Sequence, residues 1–461
     1  MWTVTFPRRL FKELTTFLFE TAPSENGCFL SANSYTRGKG DSVVMVTGIL
    51  KPTAASWNQD GPHMLEPSST YINDAVVHAD ASNSTIIFVH THPHPAHPVR
   101  FSSIDENSNK RLFANLTQIL PSRPLGSLVF TQNTVCGVIY AKRKLHTVST
   151  ITLSGHLLTS MPAIGFSEKK RKPSLTFDRQ LRFLGKSRHT QLQGLTVTIV
   201  GVGGTGSSVA VQLARMGVKR VRLVDFDTID ASNLSRVYGS TRKDVGNPKV
   251  DVVKRHIESF SKTKVTSLKA DVASDDVIGE LIESDVLFAC TDNLASRAIL
   301  NDVSLQYCIP LIDVGCRIDL EQNGAINQAI AKVQLVSPDD ACMWCTGTLD
   351  GKLILQESFT DAEKEKLAKE GYYQNVKNQP SIISMTTLAA SLGVQKLLNL
   401  LGVFGDNYAS RTQIELKTGF MNEDTPEIKE TCVCQKRRGL GNKRTIVNTE
   451  AAECKQVVLH G

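Results

Sequence analysis

Leu195-Thr196-Val197-Thr198-Ile199-Val200 runs without interruption into Gly201-Val202-Gly203-Gly204-Thr205-Gly206. The first six residues, rich in β-branched side chains and closed by glycine, read as a buried parallel strand. Ser207 to Met216 reads as the helix that follows a tight glycine turn. Such a turn lets backbone amides and a helix N-terminus meet a phosphate. The turn alone does not separate a dinucleotide site from a triphosphate site. The next strand, Arg220 to Val224, ends in Asp225, and a carboxylate there binds a ribose hydroxyl in either kind of enzyme.

Residues further along make the distinction. Asp225-Phe226-Asp227 is followed by Asn233-Leu234-Ser235-Arg236 and by Gly246-Asn247-Pro248-Lys249, and the apolar strand Val286-Leu287-Phe288-Ala289 leads into Cys290-Thr291-Asp292-Asn293. An Arg and a Lys beyond a glycine turn provide cations for a triphosphate, and an Asp at a strand's carboxyl end can hold magnesium. A hydride-transferring enzyme needs none of these. The set resembles the ThiF/MoeB and ubiquitin-activating-enzyme superfamily, whose members adenylate the C-terminal carboxylate of a ubiquitin-like protein. The resemblance runs from about Phe177 to Cys434. It implies that Gly201, Gly203, Gly204 and Gly206 shape the ATP turn, that Asp225 holds the ribose, that Asn233, Arg236 and Lys249 face the phosphates, and that Asp292 carries the magnesium. Arg179, in Phe177-Asp178-Arg179-Gln180-Leu181, matches the arginine that members lend to a second subunit's active site, which implies a homodimer.

A second constellation lies in the first third of the chain. The apolar strand Thr85-Ile86-Ile87-Phe88-Val89 leads into His90-Thr91-His92-Pro93, and Ser102-Ser103-Ile104-Asp105 follows. Strand side chains repeat every two residues, so His90 and His92 point to one side and suit one metal. Asp105 supplies a third ligand across a short loop. A fourth position left for water distinguishes a catalytic zinc from a structural one. That water needs a base, for which Glu25 stands just ahead of Cys28-Phe29-Leu30, and Ser102 would steady an oxyanion. These five residues resemble the JAMM (JAB/MPN+) metalloprotease family, whose pattern is a glutamate, then His-x-His-Pro, then Ser-x-x-Asp. The resemblance implies an MPN-type domain that removes ubiquitin-like tags with zinc. The run from His94 to Phe101 is longer than is usual in that family and adds His94 and His97 as alternative ligands. A metal-free MPN scaffold would lack ligands, and none is lacking.

With 10 cysteines and no signal peptide, metal or catalysis is a better first reading than disulfides. Cys342-Met343-Trp344-Cys345 and Cys432-Val433-Cys434 are two close pairs far apart in sequence, as when a structural zinc staples the end of a domain to its middle. Superfamily members carry such a site, although a single residue inside the second pair is fewer than usual. Relatives that pass the tag on as a thioester carry a cysteine between the first pair and the helix read here from Ser384 to Leu401. Residues 346–383 contain none, and Lys369-Glu370-Gly371-Tyr372-Tyr373-Gln374 falls about where it is expected. The alternatives are a reaction that stops at the acyl-adenylate, direct handover to a conjugating-enzyme-like partner, and use of another thiol, Cys316 or Cys454.

The chain's 461 residues, 41% of them hydrophobic, supply two cores at roughly 100–200 residues per domain. The expected organisation is α/β throughout. Residues 1–155 form an MPN/JAB-like domain with a curved sheet, 156–176 a basic linker around Lys169-Lys170-Arg171-Lys172-Pro173, 177–435 a doubly wound Rossmann-like adenylation domain, and 436–461 a flexible tail. The first domain should contain a helix over Arg8 to Glu20, strands near Gly27 to Ser31, Val43 to Leu50, Leu128 to Thr131 and Thr134 to Ala141, and a helix over Asn107 to Leu120. No apolar run approaches the ~20 residues of a membrane span. The net charge of +7 comes from 52 basic and 45 acidic residues and is partly local to linker and tail, where it would steer an acidic partner. With 6% aromatics and no aromatic-basic interleaving, nothing points to nucleic acid. The expected protein is cytoplasmic and bacterial, and uses ATP, magnesium and both catalytic and structural zinc. Its partners are a ubiquitin-like protein and a conjugating-enzyme-like protein. The leading function is a bifunctional enzyme that activates a ubiquitin-like protein and trims or removes it. A sulfur-carrier adenylyltransferase with a maturation protease and an inactive scaffold are the alternatives.

Overall fold

The computed structural model describes the chain outside residues 39, 62–63, 93–98, 164–174, 322, 358, 361–362, 364–365, 367–379, 445 and 447–461, with backbone alone at 59–61 and 64. His94, His97, the basic run 169–173, the segment 369–374 and Cys454 lie outside the described residues. The chain forms two compact units, one of residues 1–171 with 438–444 and one of residues 172–437.

In the first unit the elements are β1 (Trp2–Pro7), α1 (Arg8–Leu18), β2 (Gly27–Arg37), β3 (Asp41–Leu50), β4 (Trp57–Gly61), β5 (Met64–Pro67), α2 (Ser69–Ala81), β6 (Thr85–Thr91), α3 (Ser103–Ile119), β7 (Leu125–Phe130), β8 (Val135–Ala141), β9 (Lys144–Ser154) and β10 (Thr159–Pro162). The main sheet runs β1-β3-β2-β6-β7-β8-β9-β10, and β1 also pairs with β9, so the expected curved sheet closes on itself. β6 is buried along its whole length because both its faces are covered. Ile87 and Val89 join a core with Leu14 and Leu18 of α1. Ile86 and Phe88 join a second core with Tyr71 and Ala75 of α2 and Phe113 and Leu116 of α3. A strand covered on both sides reads as a continuous apolar run. His90 continues the Ile86–Phe88 face, its ring stacked on Phe88 with centroids 5.6 Å apart.

The second unit comprises α4 (Asp178–Gly194), β11 (Thr196–Val200), α5 (Gly204–Met216), β12 (Arg220–Val224), α6 (Lys249–Glu258), β13 (Lys264–Leu268), α7 (Asp275–Leu281), β14 (Val286–Ala289), α8 (Leu294–Tyr307), β15 (Leu311–Leu320), β16 (Ile326–Val336), α9 (Gly351–Glu357), α10 (Ile383–Leu400), β17 (Arg411–Glu415), β18 (Phe420–Asp424) and α11 (Cys434–Arg437). Its sheet order is β13-β12-β11-β14-β15-β16-β17-β18. The first five strands are parallel and the last three antiparallel. Strand order reverses between β11 and β14, the switch point where open α/β sheets bind ligands. α10 is buried against this sheet. A Cβ on its Gly393 would lie 2.7 Å from Val314 of β15, and its buried Lys396 donates to Ala409 O at 2.6 Å and Thr412 Oγ1 at 3.0 Å.

Two expected boundaries move. The linker expected over 156–176 gives up residues 159–162, which pair with β9 as β10. The tail expected to be flexible from residue 436 is packed as far as Arg444, because its basic and backbone groups find partners. Arg437 donates to Asp302 at 2.7 and 2.8 Å in the second unit. In the first unit Asn33 Nδ2 donates to Gly439 O at 2.7 Å, and Lys443 Nζ to Ser82 O at 2.8 Å.

Candidate functional site

The carboxyl ends of β11, β12 and β14 gather the residues expected around a nucleotide. β11 ends in Gly201, whose φ of +87° suits glycine alone. A Cβ on Gly201 would lie 2.5 Å from Cys290 O, and one on Gly206 would lie 1.8 Å from Gly201 O. Both positions therefore exclude any larger residue. α5 begins at Gly204 behind the N-cap Gly203, which brings no side-chain cap, so its first amides and dipole face an incoming anion. Asp225 ends β12 and braces this turn, accepting from Val202 N at 2.6 Å and Asp227 N at 2.8 Å. Burial pushes its carboxyl above the ordinary carboxylate range, against those amides and Lys249.

The cations approach from the segment after β12. Lys249 Nζ donates to Asp227 Oδ2 at 2.6 Å. The side-chain carbons of Arg236 stand 3.2 Å from where a Gly204 Cβ would be, so the guanidinium stem lies on the glycine turn. Its Nη1 donates to Ser232 O at 2.8 Å. Asn233 is buried and accepts from Asp230 N at 3.2 Å. Asp292 is exposed in the turn after β14, a turn tied to the glycine loop by Cys290 N donating to Val200 O at 2.8 Å. Arg179 is exposed on the first turn of α4, ahead of a kink at Gly185.

Three sets of contacts here were not read from the sequence, although Cys316 itself was named as a candidate thiol. Arg297 Nε lies 3.1 Å from Asp313 Oδ1, the carboxylate being buried. Neither atom has an aligned hydrogen bond, so this is an ion pair held by charge. Glu357 of α9 accepts from Leu294 N and Ala295 N at the start of α8. The Cys316 thiol meets the Thr205 hydroxyl at the head of α5, with Arg297 and Arg236 near. Burial nonetheless pushes the thiol above its ordinary range. An Asp292-x4-Arg297 spacing was a signal available for the first feature. No motif marks Glu357.

Among the described residues two clusters have metal-ligand chemistry. Cys342, Cys345, Cys432 and Cys434 come together, with Sγ···Sγ distances of 3.7, 3.6 and 3.7 Å for 342–345, 342–432 and 345–434. Tetrahedral zinc with bonds of ~2.3 Å spaces its sulfurs by roughly 3.8 Å, so the four thiols fit that ion. In the first unit the ligand atoms of His90, His92 and Asp105 lie within 4.8 Å of one another. His90 Nε2 and His92 Nε2 stand 3.1 and 3.3 Å from the two Asp105 oxygens. Both His90 ring nitrogens are buried without a hydrogen-bond partner, and a cation bound beside Asp105 would end that state for Nε2. Burial raises the Asp105 carboxyl, but the imidazoles of His90 and His92 against its two oxygens outweigh it, and the net shift is well below the carboxylate range. The bond to Asp105 in turn raises His92.

The neighbours of this cluster come from β2 and α3. Gly27 pairs with His90 in the β2–β6 ladder, and Asn26 N donates to Thr91 Oγ1 at 2.9 Å. Half-buried Glu25 is thereby held close enough to His92 to act on its charge. Ser102 caps α3, accepting from Asp105 N at 3.1 Å while its own N donates to Asp105 Oδ2 at 2.6 Å. Its backbone N–H therefore orients the Asp105 carboxylate, while its hydroxyl caps the helix that carries Asp105, tasks the sequence reading had not given it. Among the described residues no helix is long and apolar enough to cross a membrane.

Residues 177–436, more than half of the chain, match the ThiF family. The chain is 31% identical over 139 residues to the adenylyltransferase and sulfurtransferase MOCS3 of Aedes aegypti, covering 30% of this chain and 32% of that one. It is 31% identical over 158 residues to the molybdopterin-synthase adenylyltransferase of Escherichia coli, covering 34% and 63%. It is 30% identical over 134 residues to a ubiquitin-activating enzyme E1-like protein of Saccharomyces cerevisiae, covering 29% and 21%. The matches thus span a fifth to just under two thirds of these relatives' lengths. The chain belongs to the ThiF family.

Proposed function

We propose that this ThiF-family chain adenylates the C-terminal carboxylate of a ubiquitin-like protein with ATP, and that its first unit is a JAMM-type metallo-isopeptidase acting on the same class of protein. The observation that carries the first half is the convergence of the Gly201–Gly206 turn, Asp225, Arg236 and the Asp292 turn on one sheet edge. Asp225 would hold the ribose, while Asn233, Arg236, Lys249 and the head of α5 would take the polyphosphate. Asp292 would hold magnesium, which screens the leaving pyrophosphate. The carrier's carboxylate attacks the α-phosphorus, and an acyl-adenylate and pyrophosphate result. Because residues 346–383 hold no cysteine, the activated carrier passes to a conjugating-enzyme-like partner or to another thiol. The relatives include a sulfur carrier protein adenylyltransferase and a ubiquitin-activating enzyme E1-like protein alike. Sulfur-carrier activation is accordingly the second reading.

The peptidase half rests on the His90–His92–Asp105 geometry. Zinc bound there would supply an electrophile and an acidified water. Glu25 would take the proton from that water, and Ser102 holds Asp105 in place. The four cysteines would hold a structural zinc.

One set of variants tests both halves. Asp292→Ala should lose carrier-dependent pyrophosphate exchange by about a hundredfold or more, since the magnesium contact is worth several kcal/mol, and should keep peptidase activity. Glu25→Ala should retain about two zinc ions per chain by plasma emission yet lose cleavage of a ubiquitin-like precursor, whereas His92→Ala should retain about one. Exchange undiminished in Asp292→Ala removes the adenylation site as drawn. Cleavage by Glu25→Ala removes the peptidase.

A further inference from the structure

We infer that Glu357 is a positioning residue of the adenylation site, its carboxylate setting the place of the Asp292-Asn293 turn from outside that turn. This rests on the adenylation reading, in which Asp292 holds magnesium.

The start of α8 leaves four backbone donors without an intrahelical partner, and three of them, Leu294 N, Ala295 N and Ser296 N, are met by side-chain oxygens. The N-cap Asn293 accepts from Ser296 N at 2.7 Å through its side chain, the ordinary local solution. The other two donors are met from 62 and 63 residues away. Leu294 N donates to Glu357 Oε1 at 2.8 Å and Oε2 at 3.0 Å, and Ala295 N donates to Oε2 at 2.9 Å. Water satisfies such amides on most helices, so a long-range carboxylate adds something else. It fixes the start of α8 to α9, and it does so with an anion that the helix dipole favours.

Asp292 directly precedes the N-cap, so its backbone follows wherever the first turn of α8 is held. The other side of the same turn is already fixed, since Gly201 packs on the Cys290–Thr291 peptide, where its Cβ would lie 2.5 to 2.9 Å from those atoms. The turn is therefore gripped between the glycine loop and Glu357. Partners that orient a metal ligand typically change metal affinity by about 10- to 100-fold when removed. That range is the expected size of the effect.

The test uses the full chain and variants Glu357→Ala and Glu357→Gln. Manganese binding in the presence of a non-hydrolysable ATP analogue is followed by electron paramagnetic resonance, with Asp292→Ala as the reference for a lost ligand. Glu357→Ala should weaken manganese binding by about tenfold or more and leave affinity for the metal-free nucleotide unchanged. Glu357→Gln, which keeps one carbonyl oxygen for the amides, should fall between. The magnesium concentration for half-maximal pyrophosphate exchange should rise in the same order. Manganese affinity within about twofold of wild type in Glu357→Ala, or an equal fall in metal-free nucleotide affinity, would overturn the inference. A wild type that neither binds the manganese–nucleotide complex nor exchanges pyrophosphate would instead overturn the adenylation reading beneath it, a result distinct from any defect of the variants.

Discussion

At Asp225 one carboxylate braces the fold and, in the proposed reading, would also hold the ribose. It is 9% exposed, and its bonds from Val202 N and Asp227 N hold the glycine turn against the end of β12. The free-enzyme carboxyl is pushed up by burial, so those amide bonds and the cation of Lys249 are what keep an anion at this place. Asp225→Ala should therefore fail in two separable ways. ATP binding should be lost with the ribose contact. Even without nucleotide, the protein should lose about 1–3 kcal/mol, the cost of leaving the buried Val202 N–H without an acceptor. Urea denaturation of the nucleotide-free protein checks the second effect alone. Asp225→Asn keeps a carbonyl oxygen and should recover much of the stability but little of the activity. A nucleotide-free Asp225→Ala protein as stable as wild type would show that the turn holds itself.

Between β12 and α6 the chain has little regular structure, and one clamp holds it. Asp244 accepts from Thr241 N at 2.8 Å, Thr241 Oγ1 at 2.7 Å, and Arg255 Nη1 and Nη2 at 2.8 and 2.9 Å. The Arg255 guanidinium and the Thr241 hydroxyl hold its carboxyl far below the ordinary range. A carboxyl lowered in the folded state stabilises above its unfolded pKa of about 3.9, and that stability is lost as pH falls from there towards the folded value. Asp244→Asn should lose about 1–3 kcal/mol at pH 7 and show a shallower fall in urea midpoint between pH 5 and 2. An unchanged acid slope would deny the clamp its charge. Elements of this kind mark where the sequence was legible. β11, α5, β12 and β14 were read because strand, glycine turn and helix are local patterns, and His90, His92 and Asp105 because their spacing is chemical. α2 was not read, since its buried positions include Ala75 and Ala79, too small to make an apolar stripe stand out. β1 and β10 are strands because distant segments pair with them, β3 and β9 with β1 and β9 with β10. Glu357 and Asp313 act over distances no window of sequence spans.

At the scale of the whole molecule, the chain divides into two compact units, and each carries one of the two proposed sites, so loss of one proposed activity need not carry away the other. Arg179 complicates this independence. It is exposed on the first turn of α4, and its resemblance to an arginine lent between subunits makes a second copy of the chain the place where it would act. The consequence is a complementation test. Arg179→Ala and Asp292→Ala should each lose pyrophosphate exchange as pure proteins. In a mixed dimer, one of the two active sites combines an intact Asp292 with an intact Arg179 from the opposite chain, and the other has neither. Random mixing makes about half of the dimers mixed, each with one working site of two, so roughly a quarter of wild-type exchange should return. Co-expression with two affinity tags isolates the mixed dimer, in which half the wild-type activity per chain is expected. Sedimentation gives the independent check. A chain that sediments as a monomer at assay concentration while exchanging pyrophosphate at full rate would show that Arg179 serves its own site or none.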